Sequence, residues 1–250
     1  MSKIFPSMNS KPEKFTFITT LIYWPFVFLW FPIYLPYLGM GLWEDPNLGP
    51  WLEIGYHVVN FIVLLICMKS YLKDEWFMVT TDVRFYIKHM ALTVGLIVGT
   101  VVFLLGTLYL YGFNIGYMLN GLPVAEMTVS HTAGMLILQK PLFGTIALTI
   151  LSPISICATF YCLCFAPFCY RRPWLGYLSV VVVTLIPSLI DIIWRGDASL
   201  VLSMYFIRLP IHLLACWSYQ KTDNVWTPIG ALVGTNLILS VGQLLLWALS

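Results

Sequence analysis

From Met90 to Gly112 the chain reads MALTVGLIVGTVVFLLGTLYLYG, without one charged residue. A helix rises about 1.5 Å per residue, so this run is about 34 Å long and can cross about 30 Å of hydrocarbon. The pattern repeats on both sides. Apolar runs occupy 15–38, 51–68, 141–166, 174–194, 198–217 and 227–249, with all charges except Glu53, Asp191 and Arg208 confined to short islands between them. The 250 residues are 60% hydrophobic and 10% charged, with a mean hydropathy of +0.86. Soluble domains carry about 25% charged residues and keep apolar residues in short stripes. The runs are continuous rather than alternating, which excludes barrel strands. Backbone groups in lipid must be bonded internally, so helices remain. The expected fold is an all-α polytopic transmembrane bundle of about seven spans (six to eight), forming a single membrane domain over 1–250. A re-entrant piece within 113–135 would supply an eighth span.

Charge gives the expected orientation. With the N-terminus inside, residues 1–14 form a cytoplasmic tail. The cytoplasmic segments then hold Lys3, Lys11, Lys14, Lys69, Lys73, Arg84, Lys88, Arg171, Arg172 and Lys221. The outer segments hold only Lys140 and Arg195, and Arg208 falls inside a span. This is a positive-inside bias, with the C-terminus outside. Trp43, Trp51, Trp76, Trp174 and Trp226 fall at span ends, as an interfacial belt does. The formal net charge of +2 leaves no strongly basic face, which argues against a nucleic-acid partner. Membrane lipids are the partners that composition requires.

Prolines and buried polar residues mark the interior. Pro25, Pro32 and Pro36 kink or break the first span, and Pro153 does so in the fourth. Asp191, Arg208 and His212 form a candidate buried polar cluster, with Arg208 and His212 one turn apart on one helix face. The plainer reading is an Asp191–Arg208 pair pinning two helices. Glu53 and His57 are also one turn apart, but two ligands make a poor metal site. Cys157, Cys162, Cys164 and Cys169 crowd together without CxxC spacing, as small buried hydrophobes do. HExxH, GxSxG and GxxxxGK[ST] are all absent, and no metal or cofactor is expected.

Two further segments carry a resemblance. Lys221-Thr222-Asp223-Asn224-Val225-Trp226-Thr227-Pro228-Ile229 and Leu151-Ser152-Pro153-Ile154, followed by Phe160, resemble the CAAX prenyl protease and bacteriocin-processing family, also called Abi. The family reads Arg or Lys-Thr-Gly and then Leu-Trp-x-Pro-Ile at the first, and Ala-Pro-Ile before EExxFR at the second. The likeness covers roughly 120–250. It implies a polytopic scaffold in the bacterial cytoplasmic membrane, and many of its members are intramembrane endopeptidases. In that register the paired glutamates fall on Ile156 and Cys157, and the arginine on Tyr161. The FxxxH window, 186–194, has no histidine. Of HxxxN only Asn236 survives, with Leu232 at the histidine position. Ile, Cys and Leu cannot supply the carboxylate and imidazoles that activate water.

The resemblance therefore implies a pseudoprotease with no catalytic residues. Its role would be that of an accessory or immunity-type partner of another integral membrane protein or membrane peptide. The vacated site would be an apolar cavity around Ile156, Tyr161, Leu232 and Asn236. An active endopeptidase, a small transporter or channel subunit, and a lipid-modifying enzyme using Glu53 and His57 are the competing readings.

Overall fold

The computed structural model describes residues 48–112, 141–158, 161, 165–169, 172–195 and 198–249. The expected first span and the 113–135 piece lie outside them. The described residues are helical, with no strand among them. In chain order they form α1 (Gly49–Thr81), α2 (Val83–Leu110), α3 (Pro141–Ile146), a π-helical segment (Ala147–Leu151) and α4 (Ser152–Ile156). Then come α5 (Ala166–Cys169), α6 (Pro173–Arg195), α7 (Ala198–Thr222) and α8 (Trp226–Leu249).

The helix ends follow local chemistry. Pro50 stands in the first turn of α1, where no backbone donor is needed. The Asp82 carboxylate accepts the Phe85 N–H at 3.2 Å and caps α2. Gly112 takes φ +82° just past the end of α2, a left-handed turn that glycine adopts without strain. The last three helices begin and end within a few residues of the expected spans. The first two helices do not. α1 runs on through Lys69–Thr81, and α2 starts at Val83, so the expected 69–89 island is helix broken only at Asp82. Charge ends a membrane span, but it does not end a helix.

α2 packs against α7 and α8, and α6 packs against α7 and α5. The π segment and α4 pack against α1 and α8. The stretch from Ala147 to Ala158 is therefore central. Ser152, Pro153, Ser155, Ile156, Cys157 and Ala158 are all buried. Ile97 and Val101 of α2, Ile207 and Ile211 of α7, and Leu232 of α8 close around this core.

The outer surface is apolar. α2 is long and apolar enough to cross a membrane, and only 22% of its most apolar window is buried. A soluble core helix of that composition would be mostly hidden. Here Phe103 is 72% and Leu110 84% exposed, while Thr93, Asn60 and Asn236 are inside. Large apolar side chains thus face outward over the length of α2.

Close approach requires glycine at one crossing. A Cβ on Gly176 of α6 would lie 2.7 Å from Cys169 Cβ and 3.0 Å from its Cα on α5. Backbone cannot step aside as a side-chain end can. Gly176→Ala is expected to destabilise by roughly 1–2 kcal/mol, read from the thermal midpoint in detergent. An unchanged midpoint would mean that α5 and α6 are further apart.

Candidate functional site

The positions at which the family resemblance puts catalytic groups come together. Ile156 and Cys157 follow the π segment, Leu232 and Asn236 lie on the facing α8, and Tyr161 is close by in sequence. All are buried, with Cys157, Tyr161 and Leu232 at 0% exposure. Ile156, Cys157, Tyr161 and Leu232 belong to one packed apolar cluster. Zero exposure closes these three side chains off from solvent. Apolar side chains can close on one another without leaving unsatisfied groups.

Asn236 has a definite partner. Ser152 N–H bonds to Ala147 O, five residues back, which sets the π register. The next donor in that register would be residue 153, bonding to Leu148 O. Proline has no N–H. Asn236 Nδ2 donates to Leu148 O at 3.1 Å instead. The asparagine on α8 thus replaces the donor that Pro153 removes from the central helix. In a dry interior an unmet carbonyl is costly.

The candidate polar cluster is partly assembled. Arg208 and His212 are both buried on α7. His212 Nδ1 meets Tyr161 Oη at 3.0 Å, joining α7 to the central stretch. Tyr161 matters here as the histidine's partner, a role that its sequence position alone does not disclose. Asp191 belongs to α6, but its side chain lies outside the described residues, as does that of Glu53. His57 is buried on α1 beside Asn60, one turn away. Among the described residues, no three of His, Cys, Asp or Glu gather where a metal ion could be held. Cys157, Cys169 and Cys216 are thiols rather than halves of disulfides.

A second constellation lies at the end of the bundle where α1 meets the α7–α8 turn. Asn224 Oδ1 accepts the Trp226 N–H at 2.8 Å, capping α8. Asn224 Nδ2 donates to Glu75 O at 2.8 Å, and Trp226 Nε1 donates to Leu72 O at 2.9 Å. Trp76 stands edge-on to Trp226, with ring centroids 5.1 Å apart. The Val225 N–H points at Glu75 Oε2 at 3.4 Å. Burial pushes the Glu75 carboxyl up to about 7, the Val225 N–H opposes this, and Asp223 and Asp74 add to it. The sequence signal for this turn was the Trp226-Thr227-Pro228-Ile229 opening of the last helix. The carboxyl partner lies about 150 residues away and had no signal.

Asp223 sits in that turn at φ +49°. A side chain there is strained and a glycine is not. Asp223→Gly is expected to raise the thermal midpoint, by roughly 1 kcal/mol in stability. A lower midpoint would show that the carboxylate contributes more than the strain removes.

No protein-family model, curated protein or solved structure matches this chain. The family resemblance therefore rests on the quoted residues alone.

Proposed function

We propose that this chain is a non-catalytic polytopic membrane protein of the CAAX-protease-like type, acting as an accessory or immunity-type partner of another integral membrane protein or membrane peptide. Its place would be the bacterial cytoplasmic membrane, with the N-terminus inside. The observation that carries the reading is the packed interior: Ile156, Cys157 and Leu232 are buried in one apolar cluster where the family would hold its acids and imidazole. Hydrolysis needs a base or a metal beside a reachable water, and these residues offer neither. The left-handed Asp223 also supports the resemblance, because the family has glycine at that position.

A partner's transmembrane helix would also find room on the outer surface. The exposed face of α2 carries Gly95, Gly99 and Gly106, where a Cβ would meet nothing within 4 Å. Small residues let a neighbouring helix approach closely in lipid. A small transporter or channel subunit is the second reading. It is favoured by the buried polar side chains His57, Asn60, Ser152 and Asn236 on packed helices beside a π segment.

The expected result is a stoichiometric partner after purification in mild detergent, and no cleavage of membrane peptides by the pure protein. Peptide cleavage that is lost in Glu53→Gln but kept in Cys157→Ala would overturn the proposal. Ion or solute flux in proteoliposomes without a partner would favour the transporter reading.

A further inference from the structure

The stretch from Lys69 to His89 remains unassigned. Leu72 is level with Trp226 through the indole hydrogen bond, and Met90 is level with Gly230, whose Cβ would meet the Met90 sulfur at 2.7 Å. Past Leu72, α1 continues to Thr81, and α2 returns from Val83. Counted along the helices at about 1.5 Å per residue, Thr81 lies about 13 Å and Val83 about 5 Å beyond the start of α8, so the elbow projects past it. Its tip is not polar: Phe77 is 70%, Ile87 56% and Val83 46% exposed, with Phe85 beside them. Water alone is a poor environment for such a surface.

The charges around it are ordered. The outward stripe of α1 runs Val59, Ile62, Ile66, Lys69, Lys73 and Phe77, all exposed. The outward stripe of α2 runs Leu96, Leu92, Lys88 and Arg84, also exposed. Both stripes turn from apolar to basic near the same depth. Counted along the helices, the four cations lie within about 5 Å of the level of Trp226. Opposing acids are few and engaged. Asp82 caps Phe85, and Glu75 faces the α7–α8 turn, leaving Asp74 and, in that turn, Asp223, whose charge is felt by Glu75 and Tyr86. The headgroup layer of one leaflet is about 5–7 Å thick, comparable with this projection.

We propose that the elbow is a docking surface for anionic phospholipid headgroups, with Lys69, Lys73, Arg84 and Lys88 taking the phosphates and Phe77, Val83, Phe85 and Ile87 lying among the headgroups. Two features name this occupant: the cations complement an anionic surface, and both stripes are continuous with the apolar faces of α1 and α2. The inference rests on the membrane reading. It adds a lipid preference held by a particular surface.

The test places the full chain in nanodiscs of phosphatidylcholine mixed with phosphatidylglycerol and counts retained lipids by native mass spectrometry. The wild type is expected to retain phosphatidylglycerol over phosphatidylcholine. A variant with Lys69→Gln, Lys73→Gln, Arg84→Gln and Lys88→Gln should lose that preference at least ~tenfold, since each cation near an anionic surface contributes separately. Arg172→Gln with Lys221→Gln, exposed cations off the elbow, should keep it. Equal retention by the four-site variant, or a preference lost in the Arg172 and Lys221 variant, overturns the proposal while the membrane reading stands. A chain that stays dispersed without detergent and does not enter nanodiscs overturns both.

Discussion

Asn236→Leu is expected to destabilise the protein by about 2–3 kcal/mol, although leucine fits an apolar core well by volume. The cost arises at a different residue. Leu148 O loses the amide donor it accepts from at 3.1 Å, and Pro153 cannot supply a backbone donor in its place. Leu148 is buried and the surrounding core is packed, so water is poorly placed to substitute. Coupling separates this explanation from simple loss of a polar contact. In a Pro153→Ala background the central helix regains an N–H at position 153. Asn236→Leu should then cost at least ~1 kcal/mol less, because the same carbonyl has a second donor. Denaturant or thermal unfolding in detergent of the four proteins of the cycle measures it. Additive effects would show that Asn236 and Pro153 do not serve one carbonyl.

The second large effect is on pH dependence. Glu75 ionises near 4.5 in an unfolded chain and near 7 in the fold, chiefly because burial disfavours its charged form. Below about pH 4.5 the group is protonated in both states and opposes nothing. As pH rises from there, the unfolded chain releases the proton first, and folding becomes less favourable. Above about 7 both states are ionised and the full penalty applies, about 3 kcal/mol for a shift of this size. Wild-type stability should therefore fall between about pH 5 and about pH 8, and Glu75→Gln should remove most of that fall. Glutamine keeps an oxygen for the Val225 N–H, so the variant should be the more stable protein on the alkaline side. A wild-type midpoint flat across this range, or a fall that persists in Glu75→Gln, would place the carboxyl in water.

The helical class and the positions of α6, α7 and α8 were legible in the sequence. A long apolar run is a local property, and its ends are marked by nearby charges, prolines and caps. The same reasoning misplaced the ends of α1 and α2. A charged helix such as Lys69–Thr81 is ordinary once its inner face, through Leu72 and Val79, has something to pack on. The apolar residue types at Ile156, Cys157 and Leu232 were also legible, because residue type is read without the fold.

How those residues pack was decided only in three dimensions, by the approach of α2, α7 and α8 to the central helix. Arg208 and His212 could be put on one face from their spacing, but Tyr161 as the partner of His212 required two segments 51 residues apart to meet. The same holds for Asn236 and Leu148, 88 residues apart, and for Asn224 and Glu75, 149 apart. Hydrophobic length acts on each segment separately, and so it can be read one segment at a time. A hydrogen bond is short and directional, and its partner is chosen by packing, which no single segment encodes.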